Sequence, residues 1–137
     1  MYHKLFVVSG IFSNDTALYF HGLSDRTPIK CTLTIPSGYN TRLLKNKKYK
    51  FFYVKKDLHG LGVQVINTNY DNKIKIYDID RTICDIIKNK NKLDISLVTE
   101  AIKNYINSSK KNIFRLTKYA KKMGIMNKVS NYLEVLL

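Results

Sequence analysis

The feature that most constrains this chain is a change of hydrophobic period at Asp78. Before it, apolar residues come in short alternating or β-branched runs. Cys31, Leu33 and Ile35 alternate with Thr32 and Thr34, residues 49–54 are dense in aromatics, residues 61–66 are rich in β-branched side chains, and Ile74 and Ile76 flank Lys75. A period of two is that of a strand with one buried face, and Pro36 stops the first such run. After Asp78, Ile79, Ile83, Ile86 and Ile87 fall on one face of a helix that Asp78 is placed to cap. Asp94 begins a second helix with the stripe Val98, Ala101, Ile102, Tyr105 and Ile106. A third places Ile113, Leu116, Ala120 and Met123 on one side before Gly124, and a fourth carries Ile125, Val129, Tyr132, Leu133 and Leu136.

One further helix is expected ahead of the strands. Ser13 precedes it, Asp15 lies in its first turn where a carboxylate favours the positive end of the helix dipole, and Gly22 marks its end. Phe12 and Ala17 are spaced to form an apolar contact at its entry. Residues 37–48, with Gly38, Asn40 and Asn46, four basic side chains (Arg42, Lys45, Lys47 and Lys48) and none acidic, predict an exposed basic loop, and residues 70–73 a hairpin turn. The expected fold is therefore α+β: one N-terminal helix, a small mostly antiparallel sheet, and a C-terminal group of about four helices. At 137 residues, with no internal repeat or low-complexity linker, a single domain over 1–137 is expected.

Composition restricts the function classes. The chain is 45% hydrophobic and carries a formal net charge of +14, which suits a folded domain with a field attractive to polyanions or to an acidic protein surface. Surface lysine in excess of any functional need gives the same charge. Cys31 and Cys84 have no CxxC spacing and, with three scattered histidines, make no zinc pattern. They read as buried free thiols, which favours a cytoplasmic location. Residues 1–13 mimic a short signal peptide, but Ser9 and Gly10 interrupt the apolar stretch and no cleavage pattern follows, so mature structure is expected there. No apolar run is long enough for a bilayer.

Three constellations invite a catalytic interpretation. Asp78 and Asp80, with Asp85 nearby, form a D-x-D pattern suited to a divalent metal, yet carboxylates at a strand-to-helix junction also serve as caps, and no glycine-serine phosphate turn precedes them. His21, close to Asp25 and Arg26, lacks an accompanying nucleophile and fits a helix-end histidine. Gly60 and Gly62 form a G-x-G without the rest of a dinucleotide or phosphate-loop motif, and suit a turn or bulge between strands. No catalytic residue, metal site or cofactor is expected.

The basic residues are more informative. Arg115, Lys118 and Lys122 recur opposite the apolar stripe of the third helix, Lys121 lies beside them, Lys110 and Lys111 precede the helix, and Lys128 follows in the next. Such a face can contact phosphates, and an ordinary solvated helix back has the same pattern.

The segment "GIFSNDTALYFHGLSDRTP" followed by "TIPSGYN", the later "IYDIDRTICDII" and the ending "KNIFRLTKYAKKMGIMNKVSNYLEVLL" resemble, in order and over nearly the whole chain, the C-terminal domain of the AbiEi family of antitoxins. Thr16, Ala17, Leu18, His21, Gly22, Leu23, Asp25, Arg26, Thr27 and Pro28 match the family pattern, as do Pro36, Gly38, Tyr39, Tyr77, Asp78, Arg81, Thr82, Cys84 and Asp85. These read as caps, turns and a buried ion-pair scaffold, with Asp25 and Asp85 as the candidate partners of Arg81. The resemblance implies a type IV toxin-antitoxin pair acting in abortive infection and phage defence. In such a pair the antitoxin counteracts an AbiEii-type nucleotidyltransferase toxin, without requiring a stable complex, and represses the shared promoter. Two departures are Asp80, where the family more often has Glu, and the expected lack of a winged helix-turn-helix ahead of Phe12, which leaves the basic C-terminal face as the DNA contact. The rival expectation is a basic DNA-binding accessory or transcriptional regulator module without antitoxin activity. No membrane partner is expected, and a monomer is the default oligomeric state.

Overall fold

A computed structural model of the chain describes residues 10–39, 48–67 and 73–136. Among them are five strands and six α-helices. In chain order these are β1 (Ile11–Phe12), α1 (Asn14–Phe20), β2 (Cys31–Pro36), β3 (Tyr49–Val54), α2 (Lys56–His59), β4 (Val63–Asn67), β5 (Lys73–Tyr77), α3 (Ile79–Lys88), α4 (Ile95–Ile106), α5 (Ile113–Lys122) and α6 (Met126–Leu136). The class is α+β, with the strands early and most of the helices after them.

Two parts of the expected architecture are corrected. The sheet is mixed rather than mostly antiparallel: its order is β3-β2-β1-β5-β4, with β1 and β2 antiparallel, β4 and β5 antiparallel, but β2 parallel to β3 and β1 parallel to β5. Alternation along one strand carries no information on the direction of its neighbour, so parallel pairing had no local signature. Nor is there one helix standing ahead of the sheet. β1 comes first and occupies the centre of the sheet, and α1 is the connection between it and β2. Two residues are too few to display a period, so Ile11 and Phe12 carried no strand signal.

The half-buried strand expected at 31–36 is buried on both faces. Thr32 and Thr34 are 1% exposed. The Thr32 hydroxyl donates to Asp15 Oδ1 at 2.6 Å and the Thr34 hydroxyl to Ser13 Oγ at 2.7 Å, so segment 13–16 covers the face expected to meet water. Paired residues share a face of the sheet. Phe12, Leu33, Phe51 and Ile76 thus line one side, where Phe12, Leu33, Ile74 and Ile76 form a small core with Ala17. The basic loop expected at 37–48 and the turn at 70–73 fall largely outside the described residues.

The larger core is helical. Ile79, Ile83, Ile86 and Ile87 of α3 join Val98, Ala101, Ile102 and Tyr105 of α4, Leu116 and Ala120 of α5, and Val129 of α6, with Leu18 and Leu23 entering from the α1 end. Three of these helices begin on side-chain caps. Asp78 accepts from Arg81 N at 2.7 Å, Asp94 from Ser96 N at 3.0 Å, and Asn112 from Arg115 N at 3.0 Å. Each satisfies an amide that the first helical turn leaves without a carbonyl partner. No helix among the described residues is long and apolar enough to cross a membrane.

Candidate functional site

The D-x-D segment and the family-like residues around it meet at the start of α3. Arg81 is fully buried. Its Nε pairs with Asp85 Oδ1 at 3.2 Å, its Nη1 donates to the carbonyls of Leu58 and Leu61, both at 2.7 Å, and its guanidinium carbon lies 4.1 Å from the centre of the Tyr77 ring. Of the two acids named as partners for Arg81, Asp85 is thus the one that holds it, one helical turn away on the same face. Arg81 Nη2 and Asp85 Oδ2 are buried without a hydrogen-bond partner among the described residues. Burial pushes the Asp85 carboxyl above the usual carboxylate range, against the pull of Arg81.

The glycine pair at 60 and 62 serves this arginine. Gly62 has φ +81°, its carbonyl accepts from Asp78 N at 2.7 Å, and a Cβ there would stand 2.7 Å from that of Arg81. The pair follows the short helix α2, which the sequence pattern did not reveal, and it brings the carbonyl of Leu61 over the arginine.

Asp78 and Asp80 join α3 to the helices beyond it. Asp78 Oδ1 caps α3 while its Oδ2 accepts from the Tyr119 hydroxyl at 2.7 Å. Asp80, fully buried, accepts from the Tyr105 hydroxyl at 2.5 Å and from Asn112 N at 3.0 Å. Its other oxygen lies 3.1 Å from Arg115 Nε, an ion pair without hydrogen-bond alignment, and Arg115 Nη1 is 3.9 Å from Asp78. Burial, followed by the neighbouring carboxylates, holds the phenols of Tyr105 and Tyr119 well above their ordinary range. Cys84, donating to the Leu116 carbonyl at 3.6 Å, is likewise kept a thiol by burial and by Asp85. The other free cysteine, Cys31, is half-buried. These tyrosines and Cys84 stay protonated near neutrality, which suits support rather than proton transfer. Among the described residues no three His, Cys, Asp or Glu side chains are grouped to hold a metal ion.

The first family-like segment divides. His21 ends α1 and donates from Nε2 to the Tyr77 carbonyl at 2.7 Å, which the Thr82 hydroxyl also approaches at 3.4 Å. Segments 21–24 and 77–82, far apart in sequence, therefore meet. Gly22 takes φ +74° just past the helix end, as a left-handed stop requires. Asp25, Arg26 and Thr27 lie at the surface, with Pro28 half-buried beside them. Arg26 fastens this loop to α4, with Nη1 3.0 Å from Asp94 and Nη2 donating to Ser96 Oγ at 2.7 Å.

The basic residues are distributed unevenly. Lys110, Lys118, Lys121 and Lys122 are exposed, and Lys111 is half-buried with its ammonium donating to the Ser108 carbonyl. Arg115, expected among the phosphate contacts, is instead held by Asp80 and Asp78, although nearly half of its side chain remains exposed. Lys128 borders a separate cleft of about 400 Å³ between α4 and α6, walled by Ile102, Tyr132 and Leu136 with Lys90 at its rim. Phe114 was overlooked by periodicity: it lies off the buried stripe of α5 and is 83% exposed. The signal was an aromatic left over once Ile113, Leu116, Ala120 and Met123 had been placed on one side.

Compared with models of known protein families the sequence matches none, and no curated protein matches it either.

Proposed function

We propose that this chain is a non-catalytic antitoxin domain of the AbiEi type, a cytoplasmic basic module that opposes a nucleotidyltransferase toxin and engages nucleic acid through the lysines of α5. The observation that carries the non-catalytic part is the engagement of the acids in structural contacts. Asp78, Asp80 and Asp85, the carboxylates closest to a nucleotide-transfer pattern, are occupied by a helix cap, two tyrosine hydroxyls, a backbone amide and two arginines. Lys118, Lys121 and Lys122 stay exposed and offer a partner a basic surface on a chain of net charge +14. The toxin pairing rests on the ordered resemblance of four sequence segments, two of which the fold brings together at His21 and Tyr77.

Co-expression with the cognate nucleotidyltransferase tests the proposal. Growth should recover when this protein is induced, with or without a stable complex between the two. Continued arrest with the protein soluble and abundant would refute the antitoxin role; retained salt-sensitive DNA binding in that case would point to an accessory module instead.

A further inference from the structure

A lone exposed phenylalanine is ordinary on a protein surface. The position of Phe114 is not, because its neighbours on α5 are lysines. At about 100° per residue, Phe114, Lys118 and Lys121 fall within an arc of about 60° on the side directly opposite Leu116, Ala120 and Met123. Those three are buried, so the Phe114 ridge points straight into solvent. A rise of about 1.5 Å per residue sets Lys118 about 6 Å and Lys121 about 10 Å along the helix from the ring. Lys122 flanks the ridge, and Lys110 stands exposed just before the helix. Among the described residues, Asp78 and Asp80 form their ion pairs with Arg115 and not with these lysines.

An exposed ring set among cations, on a strongly basic chain, matches the two components by which unpaired nucleic acid is held: aromatic stacking on a base and cationic contact with the adjoining phosphates. In a duplex the faces of the bases are occupied by their neighbours, and a ring of this kind has nothing to stack on without unstacking a step. We propose that the α5 ridge binds single-stranded nucleic acid, with Phe114 stacking on an unpaired base and Lys118, Lys121 and Lys122 contacting flanking phosphates. This rests on the nucleic-acid role given to α5 above and narrows it to unpaired strands.

The test compares labelled oligothymidine, oligouridine and a DNA duplex of matched length, titrated against the full chain and its variants by fluorescence anisotropy. Phe114→Ala, at an exposed site, should weaken binding of the single strands about 5- to 100-fold. It should leave duplex affinity within about twofold and the salt dependence unchanged, since no charge is altered. The thymidine and uridine arms tell DNA from RNA. Phe114→Trp should retain affinity, and because the chain contains no other tryptophan its emission should be quenched on saturation with the single strand. Equal affinities for wild type and Phe114→Ala, or an unchanged tryptophan emission, would overturn the inference. So would a Phe114→Ala variant that loses only its affinity for phosphatidylglycerol vesicles. If reversing Lys118, Lys121 and Lys122 to Glu weakens binding while Phe114→Ala does not, the basic face stands and the single-strand inference falls. If the reversals too have no effect, the face itself falls.

Discussion

Replacing Arg81 with Met removes a guanidinium that four groups depend on. Asp85 loses its countercharge while 2% exposed, the carbonyls of Leu58 and Leu61 lose donors at 2.7 Å, and the Tyr77 ring loses the cation stacked on it. Leaving one member of a buried ion pair unpaired costs about 3–5 kcal/mol, and each carbonyl about 1 kcal/mol more where water cannot reach it. The carbonyls belong to half-buried residues, so the lower part of that sum applies, about 4–5 kcal/mol. A domain of this size is stable by roughly 7–20 kcal/mol, and at about 3 °C per kcal/mol the melting temperature should fall by about 12–15 °C. Urea unfolding followed by circular dichroism measures the loss. Asp85→Leu alone should cost a similar amount, because it strands the arginine. Arg81→Met with Asp85→Leu should cost less than the two singles together by at least about 2 kcal/mol, since the pair is incompletely satisfied, with Arg81 Nη2 and Asp85 Oδ2 unpartnered. An Arg81→Met variant within about 1 kcal/mol of the parent, or strictly additive singles, would refute the assignment of these residues as a coupled buried scaffold.

Gly62→Ala should destabilise by about 1–3 kcal/mol, because it places a side chain at φ +81° and 2.7 Å from Arg81 Cβ. Gly60→Ala, which meets nothing within 4 Å, should stay within about 0.5 kcal/mol in the same urea titration. Tyr77, Tyr105 and Tyr119 have phenols raised above the ordinary value of 10.0, chiefly by burial. The folded state therefore holds protons that the unfolded chain releases, and the stability linked to them is complete below that value and declines as pH rises past it. Urea midpoints from neutrality into the alkaline range should show this decline, and Tyr119→Phe should make it shallower; an identical pH profile would contradict the burial account.

The helical half of the molecule was the more legible in the sequence. The stripes containing Ile83, Ala101, Leu116 and Val129 are the ones that meet in the larger core, and Asp78 and Asp94 accept from the amides a cap must satisfy. These signals are local, since a helix shows its buried face and its start within a dozen residues. The sheet was less legible because its order and strand directions are set by distant packing: β1 is two residues long, and β2 is closed on its second face by segment 13–16. Arg115 shows the same limit at the site. Its spacing with Lys118 and Lys122 placed it on a basic face, but Asp80, which draws it inward, is 35 residues earlier in the chain. For the acids, chemistry was the better guide: carboxylates at a strand-to-helix junction suggested caps, and Asp78 is one.

Arg115 is unsuitable for charge reversal because a carboxylate there would face Asp80, so the lysines provide the cleaner test of the central claim that the acids are architecture and recognition belongs to the basic surface. The measurement is the slope of log affinity for a single-stranded oligonucleotide against log salt concentration, for the parent and for a variant with Lys118, Lys121 and Lys122 all changed to Glu. With each phosphate contact contributing about 0.7 to the slope, the variant should lose about 2 from it and bind far more weakly while its urea midpoint stays near the parent's. Equal slopes and equal affinities would contradict the claim.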